Sequence, residues 1–185
     1  MHAKILVREL NRADRPALES HFLALGREDR RLRFGIPISD GALRAYVARI
    51  DFDRDALFGV FDDALALAGA AHLARDAGHA ELGVSVLPGH RGRGVGGALL
   101  ARAQLHARNW RVGALFMHCL AENGTMMRLA RRQGMRIVAE SGEADAWLAL
   151  PPPDAASYFG EVFAQRAALF DYAFKQGRAW LGPGR

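Results

Sequence analysis

Cysteine and long apolar runs are nearly absent from this 185-residue chain, and each absence excludes a class of protein. Because Cys119 is the only cysteine, an intramolecular disulfide framework and a cysteine-based zinc cage are excluded, and a reducing compartment is indicated. No metal site of any other kind is predicted either. The longest unbroken apolar stretch, residues 64–71, is far shorter than the ~20 residues that span a bilayer. Since no signal-peptide core precedes Arg8 and Glu9, we expect a cytoplasmic protein with no membrane partner.

Lysine is also scarce, because Lys4 and Lys175 are the only lysines among 25 basic residues. Arginine suits bidentate contacts to phosphate, so the composition favours an anionic ligand. The net charge is +5, yet the basic residues are spread along the chain and are not interleaved with aromatic residues. We therefore expect no nucleic-acid partner. Half of the residues are hydrophobic, which is enough for one domain of ~150 residues with a packed core.

Apolar spacing and turn residues predict a mixed α/β domain over residues 1–150, followed by a helical extension over 151–185. The extension begins with three prolines, and its apolar stripe predicts a helix packed on the domain or on a partner subunit. In chain order the domain is predicted to contain a strand over 3–10, helices from Asp14 and Ser39, antiparallel strands over 56–61, 64–74 and 80–87, a helix over 98–109, a strand over 114–118, a helix over 123–133, and strands over 136–139 and 146–150.

The most informative segment is the glycine-rich loop between the strand over 80–87 and the following helix. Four glycines lie within six residues, and Arg91 and Arg93 stand beside them. Glycine lets the backbone approach a ligand closely, and the first amides of a helix have no partner within the helix. Together with the helix dipole, these groups predict a phosphate-binding site.

Three known phosphate-binding motifs can be compared with this loop. A P-loop is excluded because no Gly-Lys-Ser/Thr follows the glycines. The dinucleotide fingerprint G-x-G-x-x-G is matched by Gly92, Gly94 and Gly97. That motif also requires an acidic residue near the end of the next strand, and after His118 there is none before Glu122.

The third motif fits better. The run from Arg91 to Gly96, Arg-Gly-Arg-Gly-Val-Gly, resembles the R/Q-x-x-G-x-G/A pyrophosphate loop of the GNAT superfamily of N-acetyltransferases. Residues 123–135 resemble that superfamily's second motif, in which Asn opens a helix and Gly closes it. The resemblance covers residues 80–150. It implies a mixed, mostly antiparallel sheet with helices on both faces, in which the fourth and fifth strands splay apart around acetyl-CoA.

The resemblance also implies roles for particular residues. Main-chain amides of the loop would hold the diphosphate, Val84 and Val86 would pair with the pantetheine arm, and the N–H of Val86 or Leu87 would contact the thioester oxygen. Asn123 would cap its helix and touch the cofactor. The implied cofactor-binding set is Val84, Val86, Leu87, Arg91, Gly92, Arg93, Gly94, Val95, Gly96, Gly97 and Asn123.

The implied reaction is direct attack of an amine on the thioester of acetyl-CoA, which requires a base because most amines are protonated at pH 7. Glu81, at the start of the fourth strand, is the candidate base, with His72 and His118 as alternatives. Cys119 is expected to be a buried structural residue. The acceptor stays open between a small-molecule amine and a protein lysine or N-terminus, and a homodimer is possible.

One position departs from the family pattern. Ala130 stands where many relatives carry a tyrosine that protonates the leaving thiolate. Tyr158 or water would have to replace it, and a coenzyme-A-binding module or regulator with little turnover is the alternative function. Residues 28–35 are expected to form a charged turn anchored by Leu32 and Phe34, in a region that helps to line the acceptor side in the family.

Overall fold

A seven-stranded sheet with the strand order β1-β2-β3-β4-β5-β7-β6 organises the computed structural model, which describes residues 5–181. Every neighbouring pair is antiparallel except β4 and β5, which are parallel, so the prediction of a mixed, mostly antiparallel sheet is confirmed. The strands are β1 (Arg8–Leu10), β2 (Ala56–Phe61), β3 (Leu67–Arg75), β4 (His79–Val86), β5 (Ala114–Leu120), β6 (Arg136–Glu140) and β7 (Glu143–Ala149).

Helices cover both faces of the sheet, as predicted. Strand alternation sends Phe58 and Val60 of β2 into one core with Leu99 of α4, and Leu57 into a second core with Leu18 of α1. None of the helices in residues 5–181 is long and apolar enough to cross a membrane. The helices are α1 (Arg15–Leu23), α2 (Arg27–Phe34), α3 (Asp40–Arg49), α4 (Val95–Asn109), α5 (Gly124–Arg132) and α6 (Ala155–Leu181).

The sheet opens between β4 and β5, which confirms the predicted splay. The two strands are paired only from His79–Ala114 to Glu81–Phe116. Beyond that point β4 continues to Val86, whereas β5 keeps its full pairing with β7 on the other edge. The end of β4 therefore has no partner strand on the β5 edge.

The predicted charged turn over residues 28–35 is wrong, because this segment is helix α2. The helix is mostly charged, so it shows no apolar stripe from which a helical period could be read. Side chains hold it in place instead: Arg30 donates to the carbonyls of Leu23 (2.8 Å) and Leu25 (2.9 Å). Gly35 ends it with a left-handed φ of 77°.

Two strands start later than predicted. β3 begins at Leu67 because the Asp62 carboxylate accepts the N–H groups of Ala64 and Ala66 and so extends the turn. Leu65 in this turn has a φ of 62°. β1 is confined to Arg8–Leu10, and residues 3 and 4 of the predicted strand lie outside the described range.

Candidate active site

A cavity of about 460 Å³ lies where β4 and β5 part. The end of β4, the glycine-rich loop, the start of α4, one face of α5 and part of α2 form its walls. Nine residues of the predicted cofactor-binding set line it: Val84, Val86, Arg91, Gly92, Gly94, Val95, Gly96, Gly97 and Asn123. Leu87 and Arg93 of that set, and the candidate base Glu81, are not among the lining residues.

Glycine backbone geometry shapes the loop. Gly92 and Gly94 adopt φ values of 73° and 88°, which glycine reaches without steric strain. Gly94 is the N-cap of α4, and its carbonyl accepts the N–H of Ala98 at 3.0 Å. The N–H groups of Val95, Gly96 and Gly97 come before this first hydrogen bond of the helix, so they have no partner within it. The positive end of α4 therefore adjoins the cavity.

Gly96 keeps the cleft open. A Cβ at this position would lie 3.6 Å from Leu129 Cδ2 and 3.8 Å from Val86 Cγ2, two residues that line the cavity. A longer side chain there would fill the space between β4 and α5. The absence of a side chain therefore leaves room for a ligand between the helix terminus and the strand.

The main chain of β4 faces the gap at alternate residues. Leu87 N–H donates to Ala68 O at 2.9 Å, so Leu87 is hydrogen-bonded toward β3. In an antiparallel ladder the intervening residues turn their groups the other way, which directs the main chain of Val84 and Val86 toward β5. In agreement, Arg91 Nε donates to Val86 O at 3.0 Å from that edge.

The two arginines of the loop differ. Arg91 bridges Val86 O and the carboxylate of Asp29 on α2, at 2.7 Å. Arg93 is exposed and does not line the cavity. Asn123 caps α5 through Met126 N (3.1 Å), and its Nδ2 donates to Leu32 O at 3.5 Å.

Sequence reasoning missed the contribution of α5. Thr125, Arg128, Leu129 and Arg132 line the cavity, and their spacing of i, i+3, i+4 and i+7 puts them on one helix face. That spacing was visible in the sequence, but a polar helix face usually meets solvent, so it did not mark these residues as part of a cavity. Arg128 and Arg132 add two cations to the wall of the cavity.

Helix α2 joins the two edges of the splay. Its Asp29 is paired with Arg91, which follows β4, and its Arg31 is paired at 2.6 Å with Glu122, which follows β5. The hydrogen bond from Asn123 to Leu32 adds a third tie. Since Arg33 of α2 lies over Gly83 on the sheet face opposite α4, the helix covers the gap from that face.

The same face of β4 carries Glu81, Gly83 and Ser85. Glu81 is exposed and stands opposite Phe116 at the last paired position before the splay. A Cβ at Gly83 would overlap the guanidinium of Arg33, so the missing side chain makes room for this cation. The described ion pairs give Arg33 no carboxylate partner.

A chain of three polar side chains adjoins Gly83, whose register partner on β3 is His72. His72 Nδ1 lies 2.6 Å from Tyr46 Oη, and its Nε2 lies 2.9 Å from Asp55 Oδ2. Burial lowers the pKa of His72, so the ring is neutral at pH 7. We assign the proton to Nε2, which donates to Asp55, while Nδ1 accepts the Tyr46 hydroxyl.

His21 fixes Ser85, the remaining polar residue of this face. Its Nδ1 donates to Leu67 O (2.7 Å), which leaves Nε2 to accept the Ser85 hydroxyl (2.8 Å). Burial lowers the pKa of His21 to about 4. The imidazole is therefore a neutral structural group at physiological pH.

Other candidates lie away from the cavity. His118 is paired with Asp145 at 2.8 Å on the exposed side of β5. Cys119 packs against Met127 at 3.9 Å, and burial raises the pKa of its thiol. Tyr158 donates to Asn109 O (3.4 Å) at the far end of α4, ~20 Å from the loop by helix rise. Ala130 is buried in the core.

Comparison with solved structures finds the same fold in several acetyltransferases. The GNAT domain of PAT from S. lividans is 21% identical with a TM-score of 0.68, over 78% of this chain and 89% of that chain. Spermidine N-acetyltransferase from Vibrio cholerae, solved with CoA and spermine, is 20% identical with a TM-score of 0.64, over 80% and 96%. The yncA protein of Salmonella typhimurium, solved with its cofactor acetyl-CoA, is 18% identical with a TM-score of 0.61, over 83% and 99%.

Sequence comparison assigns the family. No curated protein matches the chain. Residues 20–135, which are more than half of the chain, match the family model described as the acetyltransferase (GNAT) family. That span contains the glycine-rich loop, the splayed strands and most of the cavity wall. The chain therefore belongs to the GNAT family of acetyltransferases.

Proposed function

We propose that this protein is an N-acetyltransferase that moves an acetyl group from acetyl-CoA to a primary amine by direct attack of the amine. The observation that carries the proposal is the cavity between β4 and β5, with the free amides of α4 at one end and unpaired main chain of β4 along its wall. The members of its family are acetyltransferases.

The residues present fit acetyl-CoA. Amides from Gly92 to Gly97, with Arg128 and Arg132, supply donors and positive charge for the diphosphate. The gap-facing main chain of Val84 and Val86 can pair with the amides of the pantetheine arm, and Gly96 leaves space for the arm. When bound, acetyl-CoA supplies an activated acetyl thioester.

Val86 is the residue that we assign to the thioester oxygen. Its N–H belongs to the gap-facing set and would stabilise negative charge that develops on that oxygen. Leu87, the other sequence-based candidate, already donates its N–H to Ala68 O.

Glu81 is the proposed base. The amine would approach on the sheet face opposite α4, where Glu81 stands beside the start of the splay. Its exposed carboxylate can take a proton from the amine through water and pass it to solvent. His72 is less suited, because both of its ring nitrogens are already hydrogen-bonded.

A second function, a coenzyme-A-binding module with little turnover, is favoured by one observation. Ala130 is buried at the position of the family's thiolate-protonating tyrosine, and the described lining of the cavity includes no tyrosine. No side-chain acid is therefore placed against the sulfur, and water would have to protonate the thiolate.

A thiol-release assay separates the two functions. The purified chain would be given acetyl-CoA and, in turn, polyamines, amino-acid amides, lysine peptides and peptides with free N-termini. The proposed enzyme releases coenzyme A faster in the presence of at least one amine, with matching acetylated product by mass spectrometry. Binding of acetyl-CoA without amine-dependent release from any acceptor class would support the binding module instead.

A further inference from the structure

Helix α6 is amphipathic, but its polar face packs on the domain and its apolar face is exposed. A helix on the surface of a domain normally turns its apolar stripe inward. Here the inward face is mostly polar: Glu161 is paired with Arg102 at 2.7 Å, Gln165 Oε1 accepts Glu9 N–H at 2.8 Å, and Lys175 Nζ donates to Phe61 O at 3.0 Å. These contacts fix the helix on α4 and β1.

The outward face is aromatic. Phe159, Phe163, Phe170 and Phe174 are between 62% and 80% exposed, and Val162 and Leu169 extend the same surface. We call these six residues the phenylalanine face. At ~200 Å² for each aromatic side chain, the four phenylalanines alone expose roughly 550 Å². That is about the largest apolar patch that ordinary monomers carry.

The spacing of the four phenylalanines is the same in both chain directions. Steps of four, seven and four residues separate them, with the midpoint between Arg166 and Ala167. A second α6, turned by 180° about an axis through that midpoint, would place Phe159 beside the partner copy's Phe174 and Phe163 beside its Phe170. A face of this kind is self-complementary, as a two-fold interface requires.

The area is also sufficient. Two such faces would bury about 1,100 Å² from the four phenylalanines of each copy, which exceeds the ~1,000 Å² that a specific protein interface needs. A membrane surface fits less well, because helices that lie on lipid carry a polar face rich in free lysine and arginine. The polar face of α6 is instead occupied by the domain, and Lys175 is paired with Asp171 at 2.8 Å.

We propose that the chain forms a two-fold homodimer in which the phenylalanine faces of two α6 helices pack antiparallel. Arg166 is the only charged residue near the midpoint of the stripe, and the two-fold symmetry brings its two copies close together near the axis. Their repulsion weakens the dimer, so salt tightens it. The described residues of α6 include none that lines the cavity, so the dimer does not depend on the proposed enzymatic function.

Sedimentation equilibrium of the full chain tests the proposal. The expected mass is twice 20.2 kDa at micromolar concentration, and Phe163→Asp shifts the chain to the monomer mass. The control is Ile36→Asp, which places the same charge at an exposed apolar residue between α2 and α3 and leaves the dimer intact. Circular dichroism confirms that each variant is folded. A wild-type chain that stays monomeric at 100 µM, or a Phe163→Asp dimer, overturns the proposal.

Two further variants test the geometry. Arg166→Leu removes the repulsion and should lower the dimer dissociation constant at least threefold, whereas it would weaken binding to anionic lipid. Arg166→Cys should form a disulfide with its symmetry mate, and Phe159→Cys, ~22 Å from its mate, should not. The opposite cross-linking pattern overturns the antiparallel register. Binding of a monomeric wild type to phosphatidylserine vesicles would identify a membrane as the occupant and contradict the dimer.

Discussion

The two sides of the splay are built from different kinds of chemical group. The side next to α4 uses main-chain amides and carbonyls of Val86 and the loop up to Gly97, and four of the loop residues that line it are glycines. The side next to α2 uses side chains, among them Arg33, His72 and Glu81, from segments far apart in the chain. A site made of backbone leaves a glycine pattern in the sequence, whereas a site assembled from distant side chains leaves no local pattern.

Gly96→Leu should have the largest effect, because the new side chain would fill the cavity on the side next to α4. The new side chain would occupy the space between Val86 and Leu129, so acetyl-CoA binding should fall at least 100-fold. Calorimetry measures the loss. Gly41→Leu, at an exposed glycine of α3 with open space around it, is the control and should bind normally. Unchanged affinity of Gly96→Leu would mean that the cofactor lies elsewhere.

Glu81→Gln removes the proposed base and leaves the side of the splay next to α4 unchanged. We expect kcat to fall about 100-fold and the dissociation constant of acetyl-CoA to stay within twofold of wild type. Glu140→Gln, an exposed glutamate on β6, serves as the control. A Glu81→Gln enzyme that keeps the wild-type kcat would remove Glu81 from the mechanism.

Burial of the neutral His21 ring should make the free energy of unfolding depend on pH. Its pKa is about 4 when folded and near 6.5 when unfolded, so the unfolded chain binds the proton first as the pH falls. This contribution is present above pH 6.5 and is lost toward pH 4. Between pH 7 and pH 5 the free energy of unfolding should drop by about 2 kcal/mol on account of His21.

Urea unfolding at the two pH values measures this drop. His21→Gln cannot titrate, so the difference between pH 7 and pH 5 should shrink by that amount. If His21→Gln retains the full pH dependence, the histidine is not buried in its neutral form.

Arg91→Ala should weaken cofactor binding less than Gly96→Leu does. Because Arg91 already bridges Val86 O and Asp29, it has limited capacity left for a phosphate, and we expect a loss of about 1.5 kcal/mol, or roughly tenfold in affinity. Arg93→Ala is the matched control in the same loop and should change affinity less than twofold. Equal losses from both variants would indicate that nonspecific charge, and not the position of Arg91, attracts the cofactor.

The strands and most of the helices could be predicted from the sequence in their order along the chain, because each of these elements has its own apolar period or turn residues. The splay of β4 and β5 followed only from the resemblance to the family, since the loss of pairing after Glu81 is a property of two strands together. Helix α2 could not be predicted from apolar spacing. Its stability comes from contacts such as those of Arg30 with carbonyls at the end of α1.

The candidate site divides in the same way. Nine residues of the set implied by the resemblance line the cavity, and four of them are the glycines that also indicate a phosphate site by themselves. Arg128 and Arg132 were missed although their helical spacing was visible, since charged residues on a helix usually face solvent. The contact of Tyr46 with His72, and of His72 with Asp55, depends on how α3 packs on β3, which no local pattern encodes.

Calorimetric titration of the wild-type chain with acetyl-CoA shows directly whether the gap between β4 and β5 holds this cofactor. We expect saturable heat with one cofactor per chain, and competition by coenzyme A. Absence of heat from both ligands at 100 µM protein, or the same heat from the Gly96→Leu variant, would contradict it.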